Sequence, residues 1–127
     1  MHDLTQKFVD ALEHLHRDRD VQPLVELFGD DATLTKAGLP QTHRGKEGAR
    51  EFWQQYRDDF ESVDASFHHT VTDDGIAYLE WTSSGSLKSG KEFRYDGVSV
   101  LQGSEDAIDG FRTYYDTTAF LPAGAQQ

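Results

Sequence analysis

Apolar positions recur along the first half of the chain at helical spacing and along the second half at every other residue. Leu4, Phe8, Leu12 and Leu15 form one stripe, predicting a first helix of about four turns that closes in the charged turn HRDRD. Asp20 reads as the N-cap of a short second helix, with Pro23 in its first turn and Leu24, Leu27 and Phe28 facing inward. Gly29 is a C-terminal stop, and Ala32 to Thr35 predicts a short strand before the Gly38-Leu39-Pro40 turn. After Gly45 the positions Ala49, Phe52, Trp53, Tyr56 and Phe60 make a strongly aromatic helical stripe.

From there the period is two. Ser66 to Thr72 and Ile76 to Ser84 flank the Asp73-Asp74-Gly75 turn; Glu92 to Leu101 and Ala107 to Asp116 follow after polar loops. Helices first and hairpin-joined strands after predict one α+β domain over residues 1–127, in which an antiparallel sheet must curl around the helices to bury the aromatic stripes.

Composition trims the functional classes. A formal net charge of -11 repels phosphate backbones and anionic headgroups, so neither nucleic acid nor membrane is the expected partner. No cysteine is present, which removes disulfides and thiolate chemistry. MHDLTQKF lacks the basic and apolar regions of a signal peptide, and no apolar run is long enough for a bilayer span, so the cytoplasm is the expected compartment.

DDATLT after a helix, then RGKEGAREFW, EWTSSG, FRYDGVSVL and a closing FRTYYD resemble the SnoaL-like branch of the nuclear transport factor 2 superfamily, over about Phe8 to Phe120. The resemblance implies a cone-shaped α+β barrel with an internal pocket, often dimeric. It leaves the activity open, because that superfamily includes isomerases, dehydratases, epoxide hydrolases, polyketide cyclases and scaffolds. The ketosteroid isomerase pattern of base, tyrosine and neutral acid falls here on Lys36, Leu12 and Val98, so that set is lost. An Asp-Arg-Asp epoxide hydrolase trio is also broken, with Thr113 at one aspartate and Glu80 and Thr82 near the other two positions.

Carrying the family's strand phase over predicts a cavity side bearing Glu80 and Thr82; Arg94, Asp96, Val98 and Val100; and Phe111, Thr113 and Tyr115. A carboxyl desolvated beside Trp53 and Phe111 moves protons near neutrality, and Arg94 beside it stabilises a developing oxyanion. In His68-His69, strand alternation sends one ring to the cavity, and His69 joins Glu80, Arg94 and Asp96 as the candidate catalytic set. Trp53, Tyr56, Val98, Phe111, Thr113 and Tyr115 are the candidate pocket walls. The competing expectation is that Arg94 pairs with Glu80 or Asp96 merely to neutralise charge.

Neither the paired histidines nor His14-x-His16 can chelate together, so no metal is expected, and no motif calls for a cofactor. Gly85 to Glu92 imitates a phosphate-binding loop, but Glu92 stands where a hydroxyl is needed and a strand follows. The opposite sheet face would carry Trp81, Phe93, Tyr95, Leu101 and Tyr114, which predicts a homodimer packed sheet to sheet or a cover by the tail around Phe120 and Leu121. The functional expectation is a small, largely apolar organic ligand in the cone, acted on by proton transfer as in an isomerase, cyclase or lyase, or else bound by a non-catalytic module.

Overall fold

A computed structural model describes residues 1–104 and 106–116. Three helices precede or interrupt the strands: α1 (His2–Asp18), α2 (Gln22–Glu26) and α3 (Gly45–Asp59). Six strands, β1 (Phe28–Lys36), β2 (Thr42–Arg44), β3 (Phe60–Asp73), β4 (Ile76–Leu87), β5 (Glu92–Gly103) and β6 (Ile108–Tyr115), form one curved, unclosed sheet in the order β2-β1-β6-β5-β4-β3. The α+β class and the wrapped sheet are therefore as expected. The sheet is mixed, however, because β1 runs parallel to β6 across the long connection through α3 while every other pair is antiparallel.

Local chemistry explains the elements. Val21, rather than Asp20, caps α2, but the Asp20 carboxylate still accepts the Gln22 N–H at 3.0 Å, the task an N-cap side chain performs. Gly45 opens α3 at φ 69, where a Cβ would lie 2.8 Å from the Asp30 carbonyl oxygen; only glycine fits that close approach comfortably. Phe60 leaves α3 with extended backbone and starts β3 directly, so β3 is longer at its start than alternation indicated. β2 was not legible as a strand; it is three residues long and exposed on either side of His43.

The concave side holds two aromatic clusters. Phe8, Phe52, Trp53 and Phe111 belong to the larger one with Leu4, Leu24, Leu79 and Leu101. Phe60, Trp81, Phe93 and Tyr95 form the second, against Tyr56, Phe67 and Tyr115. Trp53 is only 3% exposed. Arg19, in left-handed backbone at the end of α1, donates to the carbonyls of Arg57 (3.0 Å) and Phe60 (3.1 Å), which fixes α1 against the α3–β3 junction and brings His16 beside Tyr56.

Candidate functional site

Between the two clusters lies a cavity of about 480 Å3. α1 contributes Phe8 and Leu12 to its wall, α3 contributes Phe52, Trp53 and Tyr56, and β1 contributes Lys36. The sheet adds Ala65, Phe67, Trp81, Ser83, Tyr95, Ser99, Phe111, Thr113 and Tyr115, while Asp58, Asp59, Lys88 and Ser89 stand where α3 ends beside the β4–β5 hairpin. The size and apolar lining are those of a small-molecule site.

The inward phase differs from the expected one on two strands. Register pairs Trp81 with Gly97, Ser83 with Tyr95, Ser99 with Thr113 and Gly97 with Tyr115, so odd-numbered residues point inward on β4, on β5 and, from Phe111 onward, on β6. Phe111, Thr113 and Tyr115 thus line the cavity together with Trp53 and Tyr56. Glu80, Arg94, Asp96 and Val98 do not: all four lie on the convex face, the three charged ones exposed. The physical reason is desolvation. Turning these strands over would bury a guanidinium and two carboxylates while exposing Trp81, Phe93 and Tyr95. The same inversion removes Trp81, Phe93, Tyr95 and Leu101 from the outer face, leaving Tyr114 there.

Both histidines are on that outer face as well. β3 pairs Phe67 with Trp81 and His69 with Glu80, leaving His68 as the extra residue of a bulge, so the alternation that should have sent one ring inward is broken. His69 Nδ1 lies 2.7 Å from Glu80 Oε1, an exposed contact worth little. Thr82 donates to Asp96 Oδ1 at 2.6 Å, so its oxygen accepts from His68 Nε2 at 2.7 Å. The Arg94 side chain has no hydrogen bond or ion pair among the described residues.

Tyr56, Thr113 and Tyr115 are polar walls that the sequence indicated, whereas Ser83, Tyr95, Ser99 and the partner of Tyr56 were not anticipated. His16 Nε2 is 2.7 Å from the Tyr56 hydroxyl, linking α1 to α3 across forty residues. Burial lowers the His16 pKa to about 4 despite the opposing pull of Asp64, so its imidazole is neutral at pH 7. Burial likewise pushes the Tyr56 phenol well above its ordinary range; it raises Tyr95 and, with Asp59, Tyr115 as well. Three neutral phenols thus face one space. Trp81 Nε1 donates to Ser99 Oγ at 2.9 Å, which is 3.1 Å from Thr113 Oγ1, and Ser83 hydrogen-bonds Tyr95. The buried Trp53 Nε1–H has no acceptor among the described residues. A signal for the His16–Tyr56 pair existed in the apolar stripes, since His16 follows Leu12 and Leu15 on α1 as Tyr56 follows Phe52 and Trp53 on α3. Among the described residues no cluster of three or more His, Asp or Glu is arranged to hold a metal ion.

A curved sheet closed over by helices around an aromatic cavity defines the nuclear transport factor 2-like class, and solved structures agree. An NTF2-like protein from Anabaena variabilis superposes with a TM-score of 0.81 at 16% identity, covering 92% of this chain and 90% of that one. An LEH-like epoxide hydrolase from M. tuberculosis gives 0.72 at 14%, covering 92% and 83%. TerC co-crystallised with polyporic acid gives 0.76 at 15%, covering 92% and 94%. At such identities the likeness is one of fold. No curated protein matches the chain in sequence. The SnoaL-like domain family matches residues 5–117, and the chain belongs to it.

Proposed function

We propose that this SnoaL-like protein binds a small, largely apolar organic molecule in the aromatic cavity and acts on it by cofactor-independent proton transfer, as an isomerase, cyclase or lyase does. The observation that carries the reading is a 480 Å3 aromatic cavity lined by Tyr56, whose hydroxyl lies 2.7 Å from His16 Nε2. With His16 neutral, either Nε2 accepts the phenol proton and turns the Tyr56 oxygen into an acceptor, or Nε2–H donates and frees the phenol proton for a ligand oxygen. The neutral pair can therefore donate or accept a hydrogen bond at the ligand's reacting oxygen, and a proton that leaves Tyr56 for the ligand leaves a phenolate held by the Nε2–H of His16. A second reading, a non-catalytic binding module, is favoured by the outward placement of Glu80, Arg94 and Asp96.

Both tryptophans of the chain, Trp53 and Trp81, line the cavity, so their fluorescence reports occupancy. Titration with 1-naphthol should quench it saturably at one site per chain. Ala65→Trp, which fills the space from β3, should abolish the effect; unsaturable quenching in the parent, or unchanged binding in that variant, would count against the cavity as the site.

We further propose a homodimer through the convex sheet face. Val71, Tyr78 and Tyr114 are 59%, 44% and 47% exposed there, and register joins Val71 to Tyr78 and Val98 to Tyr114 across neighbouring strands. The alternative cover around Phe120 and Leu121 lies outside the described residues. Light scattering should give about twice the 14.4 kDa chain mass, and Tyr78→Glu should halve it; a monomeric parent would reject the interface. No helix among the described residues is long and apolar enough to cross a membrane; the cytoplasm is the compartment we propose.

A further inference from the structure

We propose that the molecule bound in the cavity carries an anionic oxygen, a carboxylate or an ionised enol or phenol, and that Lys36 receives it. The inference rests on the reading that the cavity binds a small organic molecule, and it adds the charge and orientation of that molecule. Lys36 is the last residue of β1, paired with Thr113 of β6, a register that sets it on the cavity wall. Its Nζ lies 5.4 Å from the centroid of the Phe52 ring. Among the described residues it has no carboxylate and no hydrogen-bond acceptor.

That isolation is not forced by a shortage of acids, because the chain has 23 Asp and Glu against 12 Lys and Arg. Other basic side chains near the core are satisfied: Lys46 donates to the Phe28 carbonyl at 2.6 Å, and Arg19 to three backbone carbonyls. A ring face attracts a cation but accepts none of the three ammonium hydrogen bonds. A cavity-lining ammonium without an acceptor among the described residues calls for an oxygen from the ligand.

The cavity's charges also give the ligand a direction. Asp58 and Asp59 stand at the hairpin end, where Lys88 N–H donates to the Asp59 carbonyl at 3.3 Å, whereas Lys36 stands at the level of Thr113 and Ser99. At the hairpin end the Asp58 carboxylate is paired with Arg57 at 3.0 Å and Lys88 stands beside Asp59, so charge there is offset and an anion is drawn to the unpaired Lys36. Among the described residues Lys36 is the lone cation at that level, Lys88 standing at the hairpin end and no arginine lining the cavity, and this suits a singly charged oxygen group rather than a phosphate, which is gathered by several donors.

The test uses three probes of one size on the intact protein at pH 7.5 and low salt: naphthalene-1-carboxylate, its neutral analogue naphthalene-1-carboxamide, and 2-hydroxy-1,4-naphthoquinone as an ionised enol. Calorimetry should show at least one anionic probe binding about tenfold more tightly than the carboxamide, and the stronger of the two identifies the oxygen class. Lys36→Met should erase that preference while leaving carboxamide affinity unchanged, and Lys36→Arg should keep most of it. If Lys36→Met fails to fold, Lys36→Gln makes the same comparison. Equal affinity of all three probes in the parent, or a preference that survives loss of the ammonium, overturns the role of Lys36 but leaves the cavity as a binding site. Binding of none of them overturns both.

Discussion

Gly97→Val should destabilise the protein by about 3 kcal/mol or more, a cost at the upper end of overpacking, and should empty the cavity of ligand at the same time. Gly97 is the inward-facing cross-strand partner of Trp81, and the indole lies directly over its Cα. A Cβ there would collide with the ring, at 2.6 Å from Cη2, and come equally close to the Tyr114 carbonyl oxygen. Since the backbone oxygen is held in the β6 strand, the ring must yield. It can move only toward the cavity, breaking its 2.9 Å hydrogen bond to Ser99 and occupying the ligand's space. Gly110→Ala is the control, because the nearest atom to its Cβ is Gln102 Oε1 at 3.4 Å, and that change should cost less than about 1 kcal/mol. Urea unfolding of the two variants measures the difference; a Gly97→Val protein as stable as the parent would mean that Trp81 does not lie on this glycine.

Stability should also fall as the solution is acidified, by about 3 kcal/mol through His16 alone. Its pKa drops from 6.5 to about 4 on folding, chiefly by desolvation. Between those values the unfolded chain binds a proton that the folded chain refuses, so the stabilisation is complete above pH 6.5 and is lost as pH falls toward 4. Below that both states are protonated and this contribution is flat. Carboxylates titrate in the same range, so the informative quantity is the difference between the parent and His16→Gln, which cannot take the proton. Urea unfolding at pH 7.5 and 4.5 should show a smaller acid loss in the variant. Parallel pH profiles would place His16 in solvent rather than against Tyr56.

The helices and the meander were legible because each buries one face only, and the aromatic stripe of α3 had no other place to go. Strand phase was legible too, but by a different argument from family likeness. On β5 the even positions carry Arg94 and Asp96 while the odd ones carry Phe93 and Tyr95, and the cost of burying charge settles which set faces in. Likeness in fold does not transmit that choice. The bulge at His68 was not legible, since nothing in SFHHTV marks an extra residue, and it alone decides that both rings face out. Nor was the His16–Tyr56 contact, which depends on how α1 is anchored by Arg19 to carbonyls of a junction forty residues away. β2 was missed because three residues carry no period.

If the inward, odd-numbered face of β4 and β5 forms the ligand site with α3, intermolecular nuclear Overhauser effects from bound 1-naphthol will report it. Cross-peaks are expected from the probe to ring protons of Trp53, Trp81, Tyr95 and Phe111, and none to the side chains of Glu80, Arg94 or Asp96. Cross-peaks to those three charged residues, with the cavity rings silent, would contradict that placement.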